Sequence, residues 1–165
     1  MTTVASPIQK AYSLFVRSAN SLQPIFLLLI RLYWGWQFAQ AGWGKLHNLS
    51  HVTQFFTSLG IPAPAANAFF VSTLEVVGGI LLALGLCGRL IALPLAIDMM
   101  VAYLTADREA LASVFSDPGK FYGASPYTFL MASLIVLIFG SGLYSVDWLI
   151  ERRWLGTSSP HPASS

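Results

Sequence analysis

The chain has 165 residues, of which 55% are hydrophobic and only 10% charged, with a formal net charge of +2. A soluble domain carries about a quarter charged residues, so this composition cannot clothe a water-facing surface, and a small net charge without a basic run argues against a nucleic-acid partner. Cys87 is the single cysteine, which permits neither a disulfide within these residues nor a C-x-x-C redox pair.

Residues 1–6 read as disordered. The stretch "PIQKAYSLFVRSANSL" then sets Ile8, Tyr12, Phe15 and Leu22 near helical spacing, with Lys10 and Arg17 elsewhere on the wheel. That pattern suits a short helix lying on anionic headgroups; a flexible tail is the alternative. Four apolar segments follow, at about 25–44, 66–86, 90–106 and 126–145, each near the roughly 20 residues that a helix needs to cross about 30 Å of hydrocarbon. Ala39, Gln40 and Ala41 form an A-x-A-like cleavage site, but Arg31, Trp34 and Trp36 interrupt what would be a signal-peptide core, so the first helix is expected to remain.

Helix one is expected to end at "GWGKLHNLSH", and Gly60, Pro62 and Pro64 mark a loop from Ser58 to Asn67. The tight "GLCGR" connection makes the second and third helices an antiparallel hairpin. Between the third and fourth, "ADREALASVFSDPGKFYGASP" has room for a short interfacial helix before the turn signal Asp117, Pro118, Gly119. The expected fold is an all-α integral membrane protein: a tail and amphipathic interfacial helix in 1–21, a four-helix transmembrane bundle in 22–148, and a polar, disordered tail in 149–165. Lys10, Arg17, Arg89, Arg152 and Arg153 fall on one side of this layout and Lys45, Arg108 and Lys120 on the other, so the cation bias puts both termini in the cytoplasm and the protein in the cytoplasmic (inner) membrane.

Three ionisable residues lie inside the apolar segments: Arg31, Glu75 and Asp98. Such groups are costly in a bilayer and normally face the bundle interior with a partner. On the helical wheel Arg31, Gly35, Phe38, Ala39, Gly42 and Lys45 share one face, and small residues on a face allow helices to approach closely. Glu75 shares a stripe with Gly78, Gly79 and Leu82; Asp98 with Ile91, Pro94, Ala102 and Thr105; Ser133, Gly140 and Tyr144 line one face of the fourth helix. The 1.5 Å rise per residue puts Arg31 about 5 Å to the cytoplasmic side of the midplane, Glu75 a few Å to the outer side and Asp98 near the middle. Arg31 is therefore expected to pair with Glu75, Asp98 or both. These charges either hold the helices in register or form a proton relay or ligand site, since one arginine with two carboxylates leaves a place for a shared proton. Glu75 and Asp98 are the catalytic candidates. Arg31, Lys45, Glu75, Asp98 and Trp34 are the ligand-binding candidates, a quinone head group stacking on Trp34 or Trp36 beside Arg31.

His47 and His51 are four apart but lack a third ligand, so no metal site is expected, and no histidine lies inside the four expected segments to bind a haem. Rings near helix ends serve as interface anchors.

Taken together, "LLLIRLYWGWQFAQAGWGKL", "FFTSLGIP" and "STLEVVGGILLALGLCGRLIALPLAIDMMVAYL" resemble the DoxX family of small four-helix bacterial membrane proteins. The matching residues are Arg31, Gly35, Gly42, Lys45, Glu75, Gly78, Gly79, Gly85, Arg89 and Ala102. The resemblance implies a membrane subunit that supports a redox process, quinone-linked in some relatives and tied in others to thiol and oxidative-stress defence with soluble redox enzymes. The single Cys87 does not suit a thiol relay. The leading expectation is such a subunit, at most the membrane part of an oxidoreductase, with quinone as its cofactor and a protein partner or a homo-oligomer in the bilayer. The rival is a non-catalytic scaffold or assembly factor; a small transporter ranks third, since four helices leave little room for alternating access.

Overall fold

The computed structural model describes residues 7–154, whose regular secondary structure is all helical. In chain order the helices are α1 (Pro7–His47), α2 (Leu49–Ser58), α3 (Pro64–Leu84), α4 (Gly88–Thr105), α5 (Arg108–Ala112), α6 (Pro118–Gly123), α7 (Pro126–Phe139) and α8 (Val146–Trp154). Three of them, α1, α3 and α4, are long and apolar enough to cross a membrane. Residues 1–6, expected to be disordered, and 155–165 of the expected C-terminal tail lie outside the described residues.

The helices differ from the sequence expectation at several of their ends. The surface helix and helix one are a single element of 41 residues that runs through Pro24 without a break, about 60 Å long at the α-helical rise. The first part of the expected Ser58–Asn67 loop is preceded by a helix the sequence did not announce, α2, which packs on α3. Pro64 then opens α3 two residues earlier than expected, because its fixed φ and missing N–H suit the first helical turn. Asp117 and Pro118 start α6 rather than turn the chain. The fourth apolar segment stops being helical at Phe139: Gly140 takes φ 80°, and residues 140–145 are irregular. The tail, expected to be disordered from 149, continues α8 to Trp154.

The inward faces of α1 and α3 are those the wheel indicates. Arg31, Gly35, Phe38 and Gly42 are buried on α1, and Glu75, Gly78, Gly79 and Leu82 on α3. The two helices touch through their glycines: a Cβ on Gly35 would lie 2.6 Å from the Gly79 carbonyl oxygen, and one on Gly42 2.6 Å from that of Ser72. Gly35 facing Gly79 and Gly42 facing Ser72 define an antiparallel register.

The face expected for α4 is corrected. Its buried stripe is Ala92, Leu95, Met99 and Tyr103, and Asp98 sits at the flank, half-buried. Apolar volume decides this, since Leu95, Met99 and Tyr103 join Phe38, Leu82, Leu130 and Val136 in one core. On the fourth segment Ser133 and Gly140 are buried as expected, but the Tyr144 side chain is exposed. The Tyr103 hydroxyl donates to the Phe121 carbonyl at 2.8 Å and its ring stacks on Phe121, which holds α6 under the end of α4.

Candidate functional site

The buried charges form two groups at different levels of the bundle. In the first, Lys45 on α1 reaches Glu75 on α3, with Nζ 2.6 Å from Oε1. Glu75 is 2% exposed and the lysine side chain 36%, so the pair has one dry end and one open end. Asp98 on α4 lies near enough for the charges of both Glu75 and Lys45 to act on it. Glu75 Oε2 and Asp98 Oδ2 are buried with no hydrogen-bond partner. Glu75 alone is paired with the Lys45 ammonium, and the carboxyl groups of Glu75 and Asp98 each keep an unused buried oxygen; the arrangement can hold or pass a proton or receive polar atoms of a ligand.

Arg31 belongs to the second group, which corrects the expectation that it pairs with Glu75 or Asp98. Its guanidinium, 1% exposed, donates through Nη1 to the Ser141 carbonyl and through Nη2 to those of Tyr144 at 2.9 Å and Ala83 at 3.4 Å. The glycine register explains the separation. Arg31 stands level with Ala83, whereas Glu75 stands level with Ala39, eight residues or about 12 Å further along α1. Arg31 thus occupies the C-terminal end of α3, where a cation meets unsatisfied carbonyls. Gly85 ends that helix at φ 66°, and a Cβ there would lie 2.6 Å from Arg31 Cζ.

Asp147, which sequence reasoning did not single out, completes this knot. Its carboxylate accepts the backbone N–H groups of Cys87 at 2.7 Å and Gly88 at 2.9 Å and the Ser141 hydroxyl at 2.8 Å. It thereby caps the start of α4 across 60 residues of sequence, and its charge also acts on Arg31. Arg89 donates to the Ile138 carbonyl at 3.2 Å. No local motif announces a cap supplied from so far along the chain. The signal in hindsight is an acid in a polar tail just after an apolar segment, facing a helix start that lacks its own capping side chain.

Of the remaining candidates, Trp34 and His47 are engaged in packing. Trp34 meets Phe129 edge-on at 5.2 Å, between α1 and α7, and Trp36 is exposed on the outer face. His47 bonds the Trp43 carbonyl and packs on the Trp43 ring. Among the described residues no group of three or more His, Cys, Asp or Glu side chains could hold a metal. A surface depression of about 640 Å³, lined by Asp107, Arg108, Glu109 and Lys120, lies at the loop end of the bundle and includes none of the buried carboxylates.

The DoxX family model matches residues 26–108, a span that holds Arg31, Lys45, Glu75 and Asp98. The chain is 28% identical to CatD of Bacillus subtilis, provisionally named an oxidoreductase, over 78% of this chain and 89% of the relative. It is 26% identical to the inner membrane protein YqjF of Escherichia coli, over 82% of this chain and 99% of the relative. An uncharacterized membrane protein of Mycobacterium tuberculosis, Rv3486, is 31% identical over 59% of this chain and 64% of its own length. No solved structure matches the chain significantly. With half its length matched by that model, the chain belongs to the DoxX family.

Proposed function

We propose that this protein is a cytoplasmic-membrane subunit that supports a redox process, and that Lys45, Glu75 and Asp98 are the polar site at which a quinone-class ligand and its protons are received. The single observation that supports the reading is that Glu75, paired with Lys45 through one oxygen, and Asp98 each keep a buried carboxyl oxygen without a hydrogen-bond partner. A quinone takes up two electrons, here from a partner redox enzyme, and two protons. The residues suit that ligand: the Lys45 ammonium can donate to a quinone oxygen, and Glu75 and Asp98 can each hold one proton. Arg31 and Trp34 take no part in this site; Arg31 is spent on backbone carbonyls and Trp34 on Phe129.

In this reading α7 is the fourth span of the bundle. Its 14 residues reach only about 21 Å, and the Gly140–Ser145 segment bound to Arg31 makes up the rest. Both termini are cytoplasmic, on the side of Arg89, Arg152 and Arg153; the inner-membrane name of the Escherichia coli relative supports the compartment.

The test is native mass spectrometry of protein gently extracted from its own membrane, wild type beside Glu75→Gln, scanning for quinone. A quinone present in the wild type and lost from a folded Glu75→Gln variant is the expected result. Identical spectra without quinone, with full activity of the variant, refute it.

A scaffold reading is favoured by one observation: the most buried cation among the described residues, Arg31, donates through both terminal nitrogens to backbone carbonyls and so ties helix ends together. If all the buried charges act so, Glu75→Gln lowers membrane accumulation or partner recovery and changes no bound small molecule.

A further inference from the structure

The first 20 residues of α1 carry a repeat that the bundle does not use. Ile8, Tyr12, Phe15, Ala19, Leu22 and Phe26 follow one another at intervals of four and three, and the stripe continues into the membrane span at Leu29, Tyr33 and Trp36. This is the 3.5-residue spacing that keeps two supercoiled helices in contact. Every one of these side chains is exposed, Ile8 at 79% and Phe15 at 69%. Leu27 is the first buried residue of α1 among those described, so about 30 Å of helix precedes the part that packs on the bundle.

The charges are placed to suit an identical partner. With Ile8, Phe15 and Leu22 as d positions and Tyr12, Ala19 and Phe26 as a positions, Lys10, Arg17, Arg31 and Lys45 all fall at f, the position farthest from the seam. The e and g positions from 9 to 46 hold no Asp, Glu, Lys or Arg. Two copies in one membrane share a topology, so their α1 helices run parallel and bring each a and d position against itself. In that arrangement no cation faces its own copy. The f side of α1 is the side that packs on α3, through Arg31 and Phe38, with the c-position glycines Gly35 and Gly42 beside them, so the stripe points away from the bundle and a second bundle can be carried on it without collision.

A helix resting on lipid would set its cations at the borders of a broad apolar arc. Here they stand at the opposite pole, and α1 runs unbroken through Pro24 into the span. We infer that the unpartnered stripe of α1 is a parallel homodimer seam, filled by the same stripe of a second copy of this chain. The inference is independent of the polar site at Glu75.

The test is disulfide or short bismaleimide crosslinking in native membranes, with single cysteines introduced into a full-length Cys87→Ser background. Ile8→Cys, Tyr12→Cys and Phe15→Cys should give a covalent dimer, and Lys10→Cys and Arg17→Cys at least tenfold less. Adding Phe15→Glu should abolish the Ile8→Cys crosslink while the protein still accumulates in the membrane, because Phe15 touches nothing in the bundle that the change would disturb. No dimer at the a and d positions, or equal yields at a, d and f, overturns the inference. So does a monomer whose 8–22 segment is shielded from a water-soluble thiol reagent only when anionic vesicles are present, the outcome of a lipid-bound helix.

Discussion

Alanine at Gly42 should force α1 away from α3. Its Cβ would lie 2.6 Å from the Ser72 carbonyl oxygen, 2.7 Å from the Val76 nitrogen and 2.8 Å from Glu75 Cβ. Carbon atoms pack at about 3.5–4.0 Å, so the helices must part by about 1 Å, and the opposing atoms are backbone or Cβ that no rotamer change can move. Overpacking of this kind costs about 3 kcal/mol, against which alanine regains up to about 1 kcal/mol of helix propensity over glycine. Two residues along the same helix, Gly44 has nothing within 4 Å of its would-be Cβ, so Gly44→Ala should be neutral or stabilising by up to about 1 kcal/mol. The pair should therefore differ by about 2–3 kcal/mol in unfolding by SDS titration in mixed micelles. Equal stability of Gly42→Ala and Gly44→Ala would refute the close glycine crossing and with it the register that separates Arg31 from Glu75.

Lys45→Met removes the only cation that touches Glu75 among the described residues; with the lysine partly exposed, the loss should be about 2 kcal/mol. Lys45→Met with Glu75→Gln should recover most of it in the same titration, and failure to recover would mean that the two side chains are not coupled. Asp147→Asn leaves one acceptor oxygen for the Cys87 N–H, the Gly88 N–H and the Ser141 hydroxyl. A loss of about 2 kcal/mol and faster limited proteolysis within 140–145 should follow, and a wild-type cleavage pattern would show that the knot does not hold this segment.

Much of this protein is legible in its sequence. A chain with so few charges has to bury its surface in lipid, and wheels that gather Gly35, Gly42, Gly78 and Gly79 on the faces of Arg31 and Glu75 had to turn those faces inward, because only small residues let backbones approach and only an interior can hold the charges. The inward sides of α1 and α3 and the family membership follow from that local information. Element ends were less legible. The end of α7 at Gly140 depends on a backbone φ of 80°, and α1 continues through Pro24, where a proline in the sequence suggests a boundary.

The amino-acid pattern tells which residues face inward; the packing of the helices decides which of them meet. Facing is a matter of angle around one helix axis, which 100° per residue supplies. Meeting is a matter of height along two axes, which depends on how the helices slide past each other. The Gly35–Gly79 and Gly42–Ser72 contacts set that slide, sending Arg31 to the end of α3 and leaving Glu75 to Lys45. The rotation of α4, which brings Asp98 only to the flank, was set by the bulk of Leu95, Met99 and Tyr103 against their neighbours. The cap on α4 came from Asp147, 60 residues away, a distance that no local pattern spans.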